Sequence, residues 1–504
     1  MIARSRRAGI SVPLFSLRSS RSWGIGEIGD IPAAAAWLRS ASQSVLQILP
    51  LNELAPGESS PYSALSAMAI DPQFISIWML DAGPILEDLL HEEVEVVRQA
   101  SRVDYKRVRN LKGRALRAAF DLFFKTEWRF DTGAAAVFRA YISDEAWWLD
   151  EYSLYRALRA EAGERPWTSW AAEFRDRDPS ALRSAHERLG QDILFYQYVQ
   201  WIASDQLKAA RLAAESVEIL GDFPFMVTLD SADVWSRQSD FILDASVGTP
   251  PDAFSETGQE WGLPPYRWDE VQKTDFEWLR MRARRLSALY DGFRVDHLVG
   301  FYRTYVRPRD GGAPYFLPAS EHAQRALGEA IVRIMIETGT DVSVEDLGTV
   351  PDFVRESIAH LGVPGYKVLR WEPGEPAMYP ALSVAMTGTH DTASLAEWWE
   401  SLSADERTRF GNPAPVFDAA VLDWVLGRIY ASGSNLVLLP IQDVFGWRDR
   451  INQPATISEN NWTFVLPWPV DRMGLDAVTR ERAARLGEWI DQTGRGGPPR
   501  GAKA

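Results

Sequence analysis

Eight short apolar runs, each closing on polar or charged residues, recur along the chain at positions 9–13, 44–50, 217–221, 292–296, 341–345, 365–371, 383–389 and 435–441. Uninterrupted runs of this length, rich in Val, Ile and Leu, read as strands buried on both faces. Between most of them the apolar period lengthens to that of an amphipathic helix, as over 31–40, 320–337 and 419–432. Eight buried strands alternating with helices predict an α/β fold, a (β/α)8 TIM barrel.

Two intervals are too long for simple crossovers. Residues 51–216, between the second and third runs, carry a largely helical pattern rich in Ala, Leu, Arg and aromatics. Residues 223–290, between the third and fourth, contain a loop with Pro and Gly at 248–266. The expected organisation is therefore a catalytic barrel formed by 1–52 and 217–492, with a helical insertion at 53–216 shaping a cleft. A lid loop would lie between strands 3 and 4. The last residues, 493–504 (TGRGGPPRGAKA), read as a disordered, dispensable tail.

Composition narrows the function. The 504 residues are 46% hydrophobic and 24% charged, as in a chain with a large core. With 54 Lys and Arg against 69 Asp and Glu, the net charge is −15. That sign repels phosphate backbones and anionic membranes, so neither nucleic acid nor membrane is expected as a partner. No cysteine is present, which excludes disulfides, thiolate metal sites and cysteine nucleophiles. The basic N-terminus leads into an apolar stretch, 10–17, that is short and broken by Pro13. It suits neither a signal peptide nor a membrane span, and a cytoplasmic location is expected. Twenty-one tryptophans suit either a large core or the stacking of sugar rings.

Barrel enzymes place chemistry at the C-terminal ends of their strands. Three of the runs end in an acid or lead into one there: Asp296 in GFRVDH, Glu345 in SVEDLG and Asp391 in GTHDT. Retaining glycoside chemistry needs an ionised carboxylate to attack the anomeric carbon and a protonated one to release the leaving oxygen. Arg294, two residues before Asp296, shares its strand face and is expected to lower the Asp296 pKa. Burial and the adjacent Asp346 are expected to raise that of Glu345. Asp391, beside His390, could stabilise positive charge. Each residue also has a plainer reading. Arg294 and Asp296 could be a structural ion pair, Glu345 and Asp346 a helix N-terminus, and His297 and His390 core histidines.

Read together with its other motifs, the sequence resembles the amylomaltase (4-α-glucanotransferase, disproportionating enzyme) family, relatives of the α-amylases. The motifs occur in family order: WGIGEIGD, LQILPL, SPYSALSA, WLDEYSLYRAL, GDFPFMV, DSADVW, TPPDAFSETGQEWGLPPY, GFRVDH, VEDLG, PGYKVL, GTHDT, LPIQD and Asn461-Trp462. The resemblance implies Asp296 as nucleophile, Glu345 as acid/base and Asp391 as transition-state stabiliser. It implies that Arg294, His390 and Asp346 touch the substrate or nucleophile, that Tyr62 and Ser60 lie beside donor sugars, and that Asp252, Phe254 and Trp261 belong to a loop over the glucan. No metal or other cofactor is implied. The partners implied are α-1,4-glucans, malto-oligosaccharides and glucose. The chain departs from the family pattern at Leu46, Asp71, Arg370, Glu372 and Ala455.

The carboxylates alone do not separate a transferase from an α-1,4-glucan hydrolase, because both pass through one glycosyl-enzyme. A closed, aromatic-lined cleft that admits a sugar acceptor and excludes water favours transfer. A barrel that binds glucan without catalysis would be expected to lack one of the three acids.

Overall fold

The computed structural model describes residues 5–251, 258–372, 374–454, 456 and 458–496. Eight parallel strands close into a barrel: β1 (Arg7–Ser11), β2 (Val45–Gln47), β3 (Glu218–Phe223), β4 (Gly292–Val295), β5 (Asp341–Val344), β6 (Gly365–Val368), β7 (Ser383–Met386) and β8 (Leu436–Pro440). Each pairs with its neighbour in sequence, and β8 closes on β1. Each falls within or against one of the eight apolar runs. The helices Ile31–Ser40, Glu321–Glu337 and Ala419–Tyr430 fall where the 3.6-residue period predicts them.

Alternation along the strands builds the barrel interior in layers. At the N-terminal end, Arg7 forms ion pairs with Glu218 and, at 2.7 Å, with Asp341. Above this floor lies a small apolar plug including Val45, Leu220, Tyr366, Val384 and Leu436. Two residues past Leu220 comes Asp222, and the register sets it opposite Arg294. Val295 is level with Val344, so the next residues, Asp296 and Glu345, leave their strands side by side. The polar mouth thus follows from strand register.

The segment between β2 and β3 is helical. Its longest helices are Tyr105–Thr126, Gly133–Glu161 and Gly190–Ala213. Rings of Phe120, Phe123, Phe138, Tyr198 and Trp201 interlock among them. Buried polar ties fasten these helices to the loops around the barrel mouth. Lys112 pairs with Glu27 at 2.6 Å, and Arg159 with Asp230 at 2.6 Å. The Gln200 side chain bonds both the N–H and the carbonyl of Ile70. Bridges Asn52↔Ile70 and Leu54↔Ala64 shape the loop that carries Tyr62.

Two expectations are corrected. Residues 248–266 are not simply a loop: Ala245–Thr249 and Gln259–Glu260 join Thr304–Pro308 and Tyr315–Leu317 in a four-stranded antiparallel sheet. Gln259–Glu260 and Tyr315–Leu317 have only two and three residues, Ala245–Thr249 and Thr304–Pro308 mix polar with apolar positions, and their partners lie across β4 in sequence. The tail does not begin at Thr493, which ends the helix Ala477–Thr493. Arg495 is fully buried and donates to the carbonyls of Tyr430 (2.6 Å), Ser432 (2.7 Å) and Ser434 (2.8 Å). Arg6 adds donors to the Ser432 carbonyl at 3.1 Å and the Thr493 carbonyl at 3.2 Å, so two guanidinium groups tie down the end of this helix. Among the described residues no helix is long and apolar enough to cross a membrane.

Replacing Arg495 by Ala strands the carbonyls of Tyr430 and Ser434, while Ser432 keeps Arg6, and is expected to cost about 2–4 kcal/mol. Urea unfolding measures this; an unchanged midpoint would show that the segment after Thr493 is dispensable.

Candidate active site

At the barrel mouth Arg294 is the hub. Its Nη1 donates to Asp222 and, at 3.2 Å, to the Tyr62 hydroxyl. Its Nη2 donates to Asp296 at 2.6 Å and also to Glu345. Tyr62 closes the circuit, donating to Asp222 Oδ2 at 2.9 Å and lying 3.2 Å from His390 Nε2. The Tyr62 and His390 rings stack at 5.5 Å, and Trp462 packs on both. Asp391 Oδ2 lies 3.3 Å from His390 Nε2, and Asp391 Oδ1 accepts from Asn452 at 2.7 Å.

These acids open into a cleft of about 410 Å³, a size suited to a small-molecule substrate. Asp296, Glu345 and Asp391 line it together. Phe225, Met226, Trp261 and Leu263 form an apolar wall, and Tyr62 and Ser63 lie opposite the β4 end. His297, at φ 42°, turns its ring between Trp261 (4.9 Å) and Phe225 (5.4 Å). A groove of about 1360 Å³ between residues 56–59 and the helix Tyr105–Thr126 is larger. It holds none of the three acids, so the chemistry places the active site in the smaller cleft.

Protonation here is set by burial against one shared cation. Burial pushes the Asp296 carboxyl well above its ordinary range; Arg294 opposes this, and the charges of Glu345 and Asp222 reinforce it. Burial also acts to raise Glu345, but Arg294 and a hydrogen bond from Asp296 carry it below its ordinary value. Asp296 is thus the more readily protonated of the two carboxyls in the free protein. This reverses the order expected from sequence, because one guanidinium is divided among three acids and bonds Glu345 as well as Asp296. Burial raises Asp222 too, against Arg294. Burial opposes ionisation of Asp391, yet His390 and Asn452 hold it down at about 2. Burial would lower His390, but Asp391 raises it above the ordinary imidazole value. Burial lowers His297 to about 4.

The structure gathers Asp296, Glu345, Asp391, Arg294, His390, Tyr62 and Trp261 at one mouth. Trp261 is fixed there by backbone pairing with Val247. Ser60 stands behind, its Oγ 3.4 Å from the Tyr62 N–H. Asp346 is not brought to the cleft lining: its carboxylate accepts from the Tyr366 N–H at 2.7 Å, packed so closely on Gly365 that a Cβ there would meet it at 2.7 Å. As the residue after Glu345 it exits on the other face of the strand. Asp252 and Phe254 lie outside the described residues.

Sequence reasoning passed over Asp222, His297 and Asn452. Asp222 follows an apolar run within GDFPFMV, so the rule that found the other acids could have found it. His297 stands directly after Asp296 and was left among core histidines. Asn452 lies after β8 in irregular chain and carried no signal. The departures at Arg370 and Glu372 have local partners: Arg370 donates twice to the Thr387 carbonyl, and Glu372 pairs with Lys367 at 3.1 Å.

A family model described as 4-alpha-glucanotransferase matches residues 12–469. The 4-alpha-glucanotransferase of Chlamydia trachomatis serovar D is 31% identical over 495 residues, 92% of each chain. That of Thermus thermophilus is 30% identical over 503 residues, 94% of this chain and 96% of the relative. Among solved structures, an amylomaltase from Streptococcus agalactiae in complex with acarbose superposes with a TM-score of 0.82 at 25% identity. The match covers 98% of this chain and 100% of that one. An amylomaltase from Corynebacterium glutamicum, 22% identical, shares the fold with a TM-score of 0.77 over 96% of this chain and 76% of its own.

The imidazoles give a direct check on the electrostatics. In a protein with only six histidines, ¹³C-labelled rings should show His297 neutral down to about pH 4 and His390 titrating above the ordinary value of 6.5. The His390–Asp391 pair is stabilising between these limits. Its contribution fades as pH falls toward 2, where Asp391 protonates, and as pH rises past the raised His390 value. A His297 midpoint near 6.5 would contradict the burial that sets it.

Proposed function

Since this chain belongs to the 4-alpha-glucanotransferase family and is an enzyme of that type, we propose that it moves α-1,4-glucan segments with retention, through a glycosyl-enzyme on Asp296. What carries this reading is the set of three acids at strand ends, Asp296 and Glu345 bonded by Arg294 and Asp391 beside them, all opening into one apolar-walled cleft. The Streptococcus amylomaltase is described in complex with acarbose, and the same class of ligand, an α-glucan or its mimic, suits this cleft.

The reaction runs in four steps. A donor maltodextrin enters with its scissile bond over the pair Asp296 and Glu345. Asp296 must then be ionised and Glu345 protonated, which reverses the directions that burial and Arg294 set in the free protein. Arg294 remains on Asp296 and favours its ionised form as the proton leaves. Asp296 then attacks the anomeric carbon while Glu345 protonates the leaving oxygen. Positive charge develops on the sugar ring in the transition state. Asp391, held ionised by His390 and Asn452, stabilises that charge. The leaving glucan departs and a 4-hydroxyl of glucose or another malto-oligosaccharide replaces it. Glu345 removes its proton as the oxygen attacks the anomeric carbon, the bond to Asp296 breaks to release its carboxylate, and the α-1,4 linkage re-forms.

Water can complete the same cycle, so the acceptor decides between transfer and hydrolysis. Phe225, Met226, Leu263 and Trp261 offer a sugar the apolar contacts that water cannot use, which supports transfer. The helices between β2 and β3 hold the loop that carries Tyr62 to the cleft, and the four-stranded sheet holds Trp261 there. The chain works in a reducing compartment, the cytoplasm, and its donor is a maltodextrin.

Incubated with pure maltotriose, the protein is expected to yield glucose and a ladder of chains longer than the substrate, separated by size. Glucose and maltose alone would identify a hydrolase. Asp296→Ala and Glu345→Ala are each expected to lower kcat/KM by at least about 10³-fold while the circular dichroism spectrum is retained. Wild-type turnover in either would remove that residue from its role.

A further inference from the structure

Asp391 is held from two sides. Its Oδ2 faces His390 Nε2 at 3.3 Å, and its Oδ1 accepts from Asn452 Nδ2 at 2.7 Å. The Asn452 backbone N–H also donates to the His390 carbonyl at 3.1 Å. One residue therefore grips both the side chain of Asp391 and the turn that carries it.

Asn452 is itself fixed. It belongs to a strap after β8 that closes where the Trp462 N–H donates to the Ile451 carbonyl at 2.7 Å and the Gln453 N–H to Asn461 Oδ1 at 3.1 Å. Ile451 and Trp462 are buried. The Trp462 carbonyl accepts from the Tyr105 hydroxyl at 2.7 Å, so the strap is anchored to the helix Tyr105–Thr126.

We propose that Asn452 is a positioning residue for Asp391, locking the rotation of its carboxylate so that the oxygens meet charge developing on the sugar. The χ2 torsion of an Asp is soft, and a carboxylate on a turn rotates unless an oxygen is held. An amide donor holds it without a countercharge. A Lys or Arg in the same place would fix the carboxylate equally well but add a second cation beside His390 and further offset the negative charge that stabilises an oxocarbenium-like transition state. This inference rests on the role given above to Asp391.

Asn452→Asp is close to isosteric and removes the donor; Asn452→Ala removes the group. Both are expected to lower kcat about 10- to 100-fold with KM for maltotriose within about two-fold, and to weaken acarbose in parallel with kcat/KM. Asn452→Gln, which keeps the amide, should recover part of kcat. Asp391→Asn separates the two readings. If it destroys activity while Asn452→Asp turns over like wild type, the positioning role is overturned and the role of Asp391 stands. If Asp391→Asn is itself active, the role of Asp391 falls first. In the double variant Asn452→Ala/Asp391→Asn, no loss beyond Asp391→Asn is expected, assayed with an α-maltosyl fluoride donor. A full multiplicative loss would show that Asn452 acts elsewhere. Should Asn452→Ala not fold, Asn452→Asp carries the same test.

Discussion

Three carboxyl groups cannot share the mouth of a barrel, out of bulk water, unless a cation stands among them. Arg294 is that cation. It is 5% exposed and bonds Asp222, Asp296, Glu345 and the Tyr62 hydroxyl at once. A planar fork of donors can serve several acceptors in fixed directions, where an ammonium would leave the geometry loose. Because one positive charge is divided among three acids, it does not neutralise them all. The pKa values of two of them are displaced in opposite directions, Asp296 upward and Glu345 downward, and two carboxyls so coupled can exchange the roles of acid and nucleophile.

The rest of the fold keeps this cluster in place. Register in the barrel sets Asp222 opposite Arg294 and brings Asp296 level with Glu345. Tyr62 comes from the loop after β2, clamped by Gln200 from the helix Gly190–Ala213. Asp391 comes from the turn after β7, clamped from beneath by Arg370 on the Thr387 carbonyl and from the side by Asn452. The helices between β2 and β3 reach the same point through Tyr105 and Trp462. The long insertion is thus joined to the chemistry by hydrogen bonds, and not only by enclosing the cleft. At the other end of the barrel, Arg7 with Glu218 and Asp341 closes the floor.

How much of this is legible in the sequence depends on how local its cause is. Parallel barrel strands are buried on both faces, so each is a continuous apolar run, and all eight stand out. Acids immediately after such runs are equally visible, which is why Asp296, Glu345 and Asp391 emerge before any family resemblance is invoked. The four-stranded sheet does not, because strands such as Gln259–Glu260 and Tyr315–Leu317 take their identity from distant partners. Nor do the protonation states: the raised Asp296 and the lowered Glu345 arise from contacts between strands. Asp346 shows the limit of carrying a motif over residue by residue. It follows Glu345 by one position, and in a strand one position is enough to face away from the cleft. Asn452 is invisible to pattern because irregular chain has no period to interrupt.

The central claim, that Asp296 forms the bond to the sugar, is open to one direct measurement. In Glu345→Gln, an α-maltosyl fluoride donor needs no acid to leave, while transfer to an acceptor lacks its base. The glycosyl-enzyme should therefore accumulate and be seen by mass spectrometry of the intact chain. Peptide mapping is expected to place the sugar on Asp296, within the fragment that spans residues 292–297. A sugar on any other residue, or brisk turnover of the fluoride with Asp296 replaced by Ala, would contradict the account.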